Sequence, residues 1–290
     1  MSDATYAPRV LVTGAGGYIG RHVVRALLRR GAHVVAIDRN AADSPETSGL
    51  TTVSADIFAQ TSAVLSAAGE LDVCVHLAWE AGFVHDSPTH MLRLSDHVRF
   101  LDAVVAHGVE RLAVLGTMHE VGYHEGPITD ETPTNPRSQY GIAKDALRRS
   151  LMQRLSTGGP SLQWLRCYYI VGDDERSQSV FAKILAAAAE GRRAFPFTSG
   201  RNRYDFIDVA ELGEQIAAAA LQSEVTGVIN CCSGEPVALG DRVEKFIRER
   251  GLDIRLEYGA FPDRPYDSPG VWGDPTKIQQ ILASEPVPSH

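Results

Sequence analysis

No apolar run in the chain exceeds six residues; ILAAAA (184–189) and IAAAAL (216–221) are the longest. A bilayer crossing takes about 18 or more in succession, so no membrane span is expected. The opening MSDATYAPRV lacks a basic stretch followed by an apolar region, the pattern of a secretion signal, and a cytoplasmic location is expected. Cysteine is scarce. Cys74, Cys167, Cys231 and Cys232 lie in apolar stretches without the C-x-x-C pairing of zinc or redox sites, and read as buried thiols. Positive charge is in deficit, 28 Lys and Arg against 36 Asp and Glu, for a formal charge of −8. That disfavours general nucleic-acid binding, which depends on neutralising phosphates, so any phosphate must be held locally.

The 290 residues, 44% hydrophobic and 22% charged, have the balance of a folded globular chain. At roughly 150 residues per domain, they fit one large domain or one domain with a smaller lobe. RVLVTG (9–14) and HVVAID (33–38) are β-branched runs with a helical pattern between them, which is a βαβ unit. DVCVHLAW (72–79), RLAVLG (111–116), LQWLRCYYIVG (162–172) and GVINCC (227–232) continue the strands, nearly all continuously apolar. A parallel sheet covered on both faces requires such runs. Helical patterns occur at 23–30, 97–106, 140–155 and 211–222. The fold class expected is α/β, a Rossmann-type doubly wound parallel sheet with a smaller, discontinuous lobe.

TGAGGYIG (13–20) leaves a strand and enters a helix, with Gly14, Gly17 and Gly20 three apart. A dinucleotide pyrophosphate needs backbone N–H groups at a helix N-terminus, and glycine where a side chain would block its approach. Asp38 ends the second strand 18 residues after Gly20, placed to accept from an adenosine ribose. The alternative is a tight structural turn beside an unrelated Asp. A carboxylate repels a 2′-phosphate, so Asp38 favours NAD(H), while the adjacent Arg39 keeps NADP(H) open because a guanidinium holds phosphate well. Asp56, followed by Ile57, either reaches the adenine amino group or caps a turn.

Tyr140 and Lys144, four apart, share one helix face. A phenol titrates near about 10, so acid–base work by Tyr140 calls for a neighbouring ammonium that stabilises the phenolate. Such pairs are also common on helices that do no chemistry. Thr117 strengthens the catalytic reading, since it stands at the carboxyl end of a strand, where open α/β sheets place ligands.

Taken in order, TGAGGYIG, HLAW (76–79), Thr117, YGIAK (140–144) and YDFIDV (204–209) resemble the extended short-chain dehydrogenases/reductases that act on nucleotide sugars, the NAD-dependent epimerase/dehydratase family. The resemblance spans essentially the whole chain. It implies that Tyr140 is the general acid/base, that Lys144 lowers its pKa and holds the nicotinamide ribose, and that Thr117 fills the family's Ser/Thr role. Implied cofactor contacts are Gly14, Gly17, Tyr18, Ile19, Gly20, Asp38, Arg39, Asp56, Ile57, Leu77, Ala78 and Trp79, besides Tyr140 and Lys144. The implied division is a dinucleotide-binding part, 1–172 and 204–232, and a nucleotide-sugar lobe, 173–203 and 233–290.

Departures from the family pattern narrow the activity. Met118 and His119 stand where sugar 4,6-dehydratases carry the Asp-Glu pair that eliminates water, and Glu120 comes one position late. Tyr169 replaces the Asn of R-F-F-N-V-Y-G. Tyr204 replaces the Arg of R-D-F-I-H-V, with Arg203 beside it and Arg264 as another guanidinium for a diphosphate. Met118, His119, Glu120, Tyr169, Arg203 and Arg264 are therefore the expected substrate contacts. The stretch 116–144, with PDRPYDSPGVWGD (262–274), resembles the branch that reduces the C4 keto group of dTDP-4-keto-6-deoxyhexoses with NAD(P)H. The alternatives are a nucleotide-sugar 4-epimerase that retains NAD, and a non-catalytic dinucleotide-sensing regulator. A homodimer is implied through the helices around 97–106 and 140–155, with no metal, nucleic acid or membrane as partner.

Overall fold

The computed structural model describes residues 6–40, 47–172, 179–263 and 267–284. In chain order the first half runs β1 (Arg9–Thr13), α1 (Gly20–Arg29), β2 (His33–Asp38), β3 (Leu50–Ser54), α2 (Thr61–Ala68), β4 (Val73–His76), α3 (Thr89–Leu92), α4 (Leu94–His107), β5 (Arg111–Thr117) and β6 (Gly126–Ile128). The second runs α5 (Gln139–Leu155), β7 (Ser161–Cys167), β8 (Tyr169–Val171), α6 (Val180–Ala189), β9 (Ala194–Pro196), β10 (Arg203–Asp208), α7 (Val209–Leu221), β11 (Gly227–Cys231), β12 (Pro236–Ala238), α8 (Leu239–Glu249), β13 (Arg255–Glu257), β14 (Gly270–Gly273) and α9 (Thr276–Ser284).

Seven strands form one sheet in the order β11-β7-β5-β4-β1-β2-β3, every neighbour pair parallel. The chain winds outward from β1 to β3, then restarts at β4 on the other side. The carboxyl ends of β1 and β4 are therefore the switch point, where loops part and leave a crevice. Thr13 of β1 pairs with Ile37 on one side and His76 on the other, so Gly14, Asp38 and Leu77 emerge at one level.

The continuous apolar runs are explained by cover on both faces. Val10, Val12 and Val75 point to a core shared with Val23 and Leu27 of α1 and Leu212 and Ile216 of α7. Leu11, Cys74 and Val114 point to the opposite core, with Phe100 and Leu101 of α4 and Leu147 of α5. All four cysteines are buried free thiols.

A second sheet runs β12-β10-β14-β6 with β8 beside β10, and β13 pairs with β9. The buried Asp205 of β10 ties this sheet to the chain after β11, accepting from the Ser233 N–H and hydroxyl (2.8 and 2.6 Å) and from the Gly234 and Gly273 N–H groups (2.9 and 3.1 Å). The structure differs from the sequence reading in two places. The strand expected over 162–172 divides at Tyr168, because the chain leaves β7 in the main sheet and pairs with β10 as β8. Ile278 and Ile281 of α9 pack in the main core rather than in the smaller lobe.

Candidate active site

The glycine turn is as tight as its composition requires. Gly14 has φ +68°, and a Cβ there would lie 2.8 Å from the Ala78 nitrogen; one on Gly20 would lie 2.0 Å from the Gly14 oxygen. A side chain at either position would collide with backbone, so only glycine lets the turn pack this closely against the start of α1, as a dinucleotide pyrophosphate site requires. Asp38 reaches the same turn and accepts from Gly16 N–H at 3.1 Å. A cleft of about 1280 Å³ opens here. Its wall runs from Gly14, Gly17, Tyr18, Ile19 and Gly20 past Asp38, Arg39, Asp56 and Ile57 to Leu77, Ala78 and Trp79. Asp56 caps a turn, accepting from Phe58 and Ala59 N–H at 2.9 and 3.2 Å. Tyr18 donates its hydroxyl to Gly172 O at 2.6 Å.

Gly141, beside Tyr140, lets α5 approach the turn that follows β5, since a Cβ there would lie 2.4 Å from the His119 oxygen. Ser138 caps the helix by accepting from Gly141 N–H at 3.1 Å. Tyr140 is thereby carried to the end of β5, and its side chain and that of Thr117 line the same cleft. Withdrawal from water pushes the Tyr140 pKa well above 10, and the Thr117 side chain opposes this only partly. The Lys144 ammonium stands 6.0 Å from the Tyr140 ring centroid, donates to Leu115 O at 2.7 Å and lies 3.8 Å over the Trp79 ring. Burial pulls the Lys144 pKa down to about 8.

Histidines surround this centre. His76 joins Thr13 (2.9 Å) to His97 (2.9 Å), whose ring stacks on Trp79 at 4.2 Å. The Trp79 indole N–H donates to His90 at 3.0 Å. Burial holds His76 well below its usual pKa and His97 at about 3, so both are neutral scaffolding. His85, which the sequence reading missed, stacks on Tyr140 at 5.3 Å and 15° and gives its carbonyl to Tyr140 N–H at 2.8 Å. Its loop has no periodicity to mark it. His119 lies 4.4 Å from His85 and is pulled down to about 4 by burial and by that neighbour.

Of the expected substrate contacts, Met118, His119 and Tyr169 line the cleft. Arg203 does not: strand alternation turns it outward to Pro236 O (2.8 Å) while its neighbour Tyr204 points in and stacks on Tyr169 at 4.3 Å. Arg264 lies outside the described residues. Arg137, also missed, brings a guanidinium to this end of the cleft, over Tyr123 at 5.5 Å.

Glu120 is corrected from substrate contact to structural cap. It is 0% exposed, accepts from Thr117 N–H at 2.7 Å and Trp164 Nε1 at 2.9 Å, and faces Arg166 at 3.4 Å. T-x-x-E is the capping-box spacing, a signal already present in the sequence. Glu120→Ala strands a buried Arg and the indole N–H, and is expected to cost about 3 kcal/mol. Denaturant unfolding checks this; turnover per folded molecule should stay within about threefold, whereas a substrate contact would lose turnover or raise KM.

Residues 10–232 match the model of the NAD dependent epimerase/dehydratase family. The chain belongs to this family. It is 44% identical over 268 residues, 91% of this chain and 98% of the relative, to dTDP-6-deoxy-L-talose 4-dehydrogenase (NAD(+)) of Aggregatibacter actinomycetemcomitans. It is 28% identical to dTDP-6-deoxy-L-talose 4-dehydrogenase (NAD(P)(+)) of Kitasatospora kifunensis, covering 89% of this chain and 84% of that one. The fold superposes on UDP-glucose 4-epimerase of Thermotoga maritima with TM-score 0.80 at 21% identity, covering 97% of this chain and 94% of the other. Among the described residues no helix is long and apolar enough to cross a membrane. Epimerase/dehydratase membership agrees with the glycine turn and with the cleft that Thr117 and Tyr140 both line.

Proposed function

We propose that this protein is an NAD(P)H-dependent reductase of the C4 keto group of a dTDP-linked 4-keto-6-deoxyhexose. The observation that carries the reading is the single cleft that runs from the glycine turn, past Thr117 and Tyr140, to the aromatic wall of Tyr169 and Tyr204. The name of the 44% identical relative supports the substrate class. Glu120 supports reduction over dehydration, because the carboxylate nearest Thr117 in sequence is committed to a buried cap. A reduced dinucleotide held along the glycine turn and the Asp38 wall would supply hydride to the carbonyl carbon. Tyr140 gives its phenolic proton to the sugar oxygen, and Thr117 holds that oxygen beside it. Lys144, charged below about pH 8, offsets the negative charge left on the phenol until solvent restores the proton. The smaller lobe, 173–203 and 233–290, orients the sugar. We further propose a cytoplasmic homodimer paired through α4 and α5; the exposed Met91, Leu92 and Ile142 beside these helices support that face.

Incubation with dTDP-4-keto-6-deoxyglucose or its L-rhamno isomer, with NADH or NADPH, is expected to oxidise one cofactor for each alcohol formed. A protein purified with bound NAD that interconverts 4-hydroxy sugars without added cofactor would be a 4-epimerase instead. Absence of hydride transfer to any keto sugar would leave a dinucleotide sensor.

A further inference from the structure

The Asp38 end of the cleft wall carries three carboxylates, Asp38, Asp56 and Glu80, and one guanidinium, Arg39, among the described residues. Arg39 follows β2 and Glu80 follows β4, so the chain brings them together only across the switch point. Arg39 Nη1 bonds Glu80 Oε1 at 2.5 Å, and the other Glu80 oxygen faces Arg93 Nε at 3.6 Å. Arg93 in turn is held by Asp96 at 3.0 Å, and Asp96 also bonds Arg99. The pair is solvent-accessible, with Arg39 60% and Glu80 28% exposed. It therefore adds little to stability. Its effect is on where the guanidinium sits and how much of its charge is free.

From this geometry we infer that Glu80 is a specificity-determining residue, which sets a preference for the dinucleotide without a 2′-phosphate by anchoring and neutralising Arg39. The inference rests on the reading of the cleft as a dinucleotide site. A 2′-phosphate brings about −1.5 to −2 charge to a wall already rich in carboxylates. Arg39 is the group suited to grip it in bidentate fashion, and Glu80 holds that group on the loop after β4. Asp38, free of any cation among these contacts, remains available to accept from ribose hydroxyls.

The test is binding of NADH and NADPH to the full chain without sugar, followed by tryptophan fluorescence. The parent is expected to bind NADH more tightly. Glu80→Gln should tighten NADPH about tenfold, the order of one charge-assisted hydrogen bond gained, and change NADH by less than about twofold. Adding Arg39→Ala to Glu80→Gln should abolish the gain, a result that general loosening of the loop would not produce. Raised salt should shrink the gain. Unchanged NADPH affinity in Glu80→Gln, or a gain that survives loss of Arg39, overturns the assignment. If Glu80→Gln binds neither cofactor, the shorter Glu80→Asp decides: a gain for NADPH supports the inference and no gain refutes it. A parent that binds neither cofactor sinks the dinucleotide reading itself.

Discussion

Tyr140→Phe is expected to lower turnover by about 10²–10⁴-fold, the usual worth of a positioned acid, with dinucleotide affinity within about threefold of the parent. The substitution removes one oxygen. The ring contacts with His85 (5.3 Å) and Trp79 (6.1 Å) are available to Phe as well, and Gly141 still seats α5 against the turn after β5. The loss should therefore fall on kcat rather than on folding. Because withdrawal from water pushes the phenol above its usual pKa, Tyr140 holds its proton throughout the working range and begins each reductive cycle as the acid. Stopped-flow hydride transfer at saturating substrate is the decisive measurement. A Phe variant that reduces the keto sugar at the parent rate would leave the mechanism without its acid.

What could be read in the sequence was local. Gly14, Gly17 and Gly20 are legible because a backbone turn that admits no Cβ leaves glycine as its mark. Tyr140 and Lys144 are legible because four residues make one helical turn. β1, β4 and β5 announce themselves as apolar runs, since a sheet covered on both faces tolerates nothing else. What stayed hidden depends on distant parts of the chain meeting. Nothing near His85 indicates that its ring will face Tyr140, 55 positions later in the chain. Glu80 reaches Arg39 only because β4 lies beside β1 and β1 beside β2. Arg203 and Tyr204 exchange expected roles because strand register, not residue type, decides which side chain faces the cleft. Glu120 differs from these. Its T-x-x-E spacing to Thr117 is a local signal of a cap, and burial against Trp164 and Arg166 removes it from the substrate side.

Replacing Lys144 with Met is expected to raise stability while lowering turnover about 10²–10³-fold. Lys144 is 1% exposed and faces a carbonyl and an indole rather than a carboxylate, so its charge is poorly compensated. Burial brings its pKa from 10.5 to about 8 in the folded chain. The folded state therefore binds protons more weakly than the unfolded one, and the penalty is fully present below about pH 8 and relieved as pH rises toward 10.5. At about 1.4 kcal/mol per pKa unit, that penalty is on the order of 3 kcal/mol at neutral pH. Met fills a similar volume but leaves Leu115 O without its donor, which returns part of the gain, so a net stabilisation of about 1–2 kcal/mol is expected. Denaturant unfolding at pH 7 and pH 10 tests both the sign and the window: the advantage of Met should be clear at pH 7 and much reduced at pH 10. In the parent the reductive rate should decline above about pH 8 as the ammonium loses its proton, and the Met variant should lack that limb. A Met variant less stable than the parent at pH 7 would mean that the carbonyl and indole contacts outweigh the cost of burying the charge. A parent profile flat through pH 9 would remove Lys144 from the proton-transfer step.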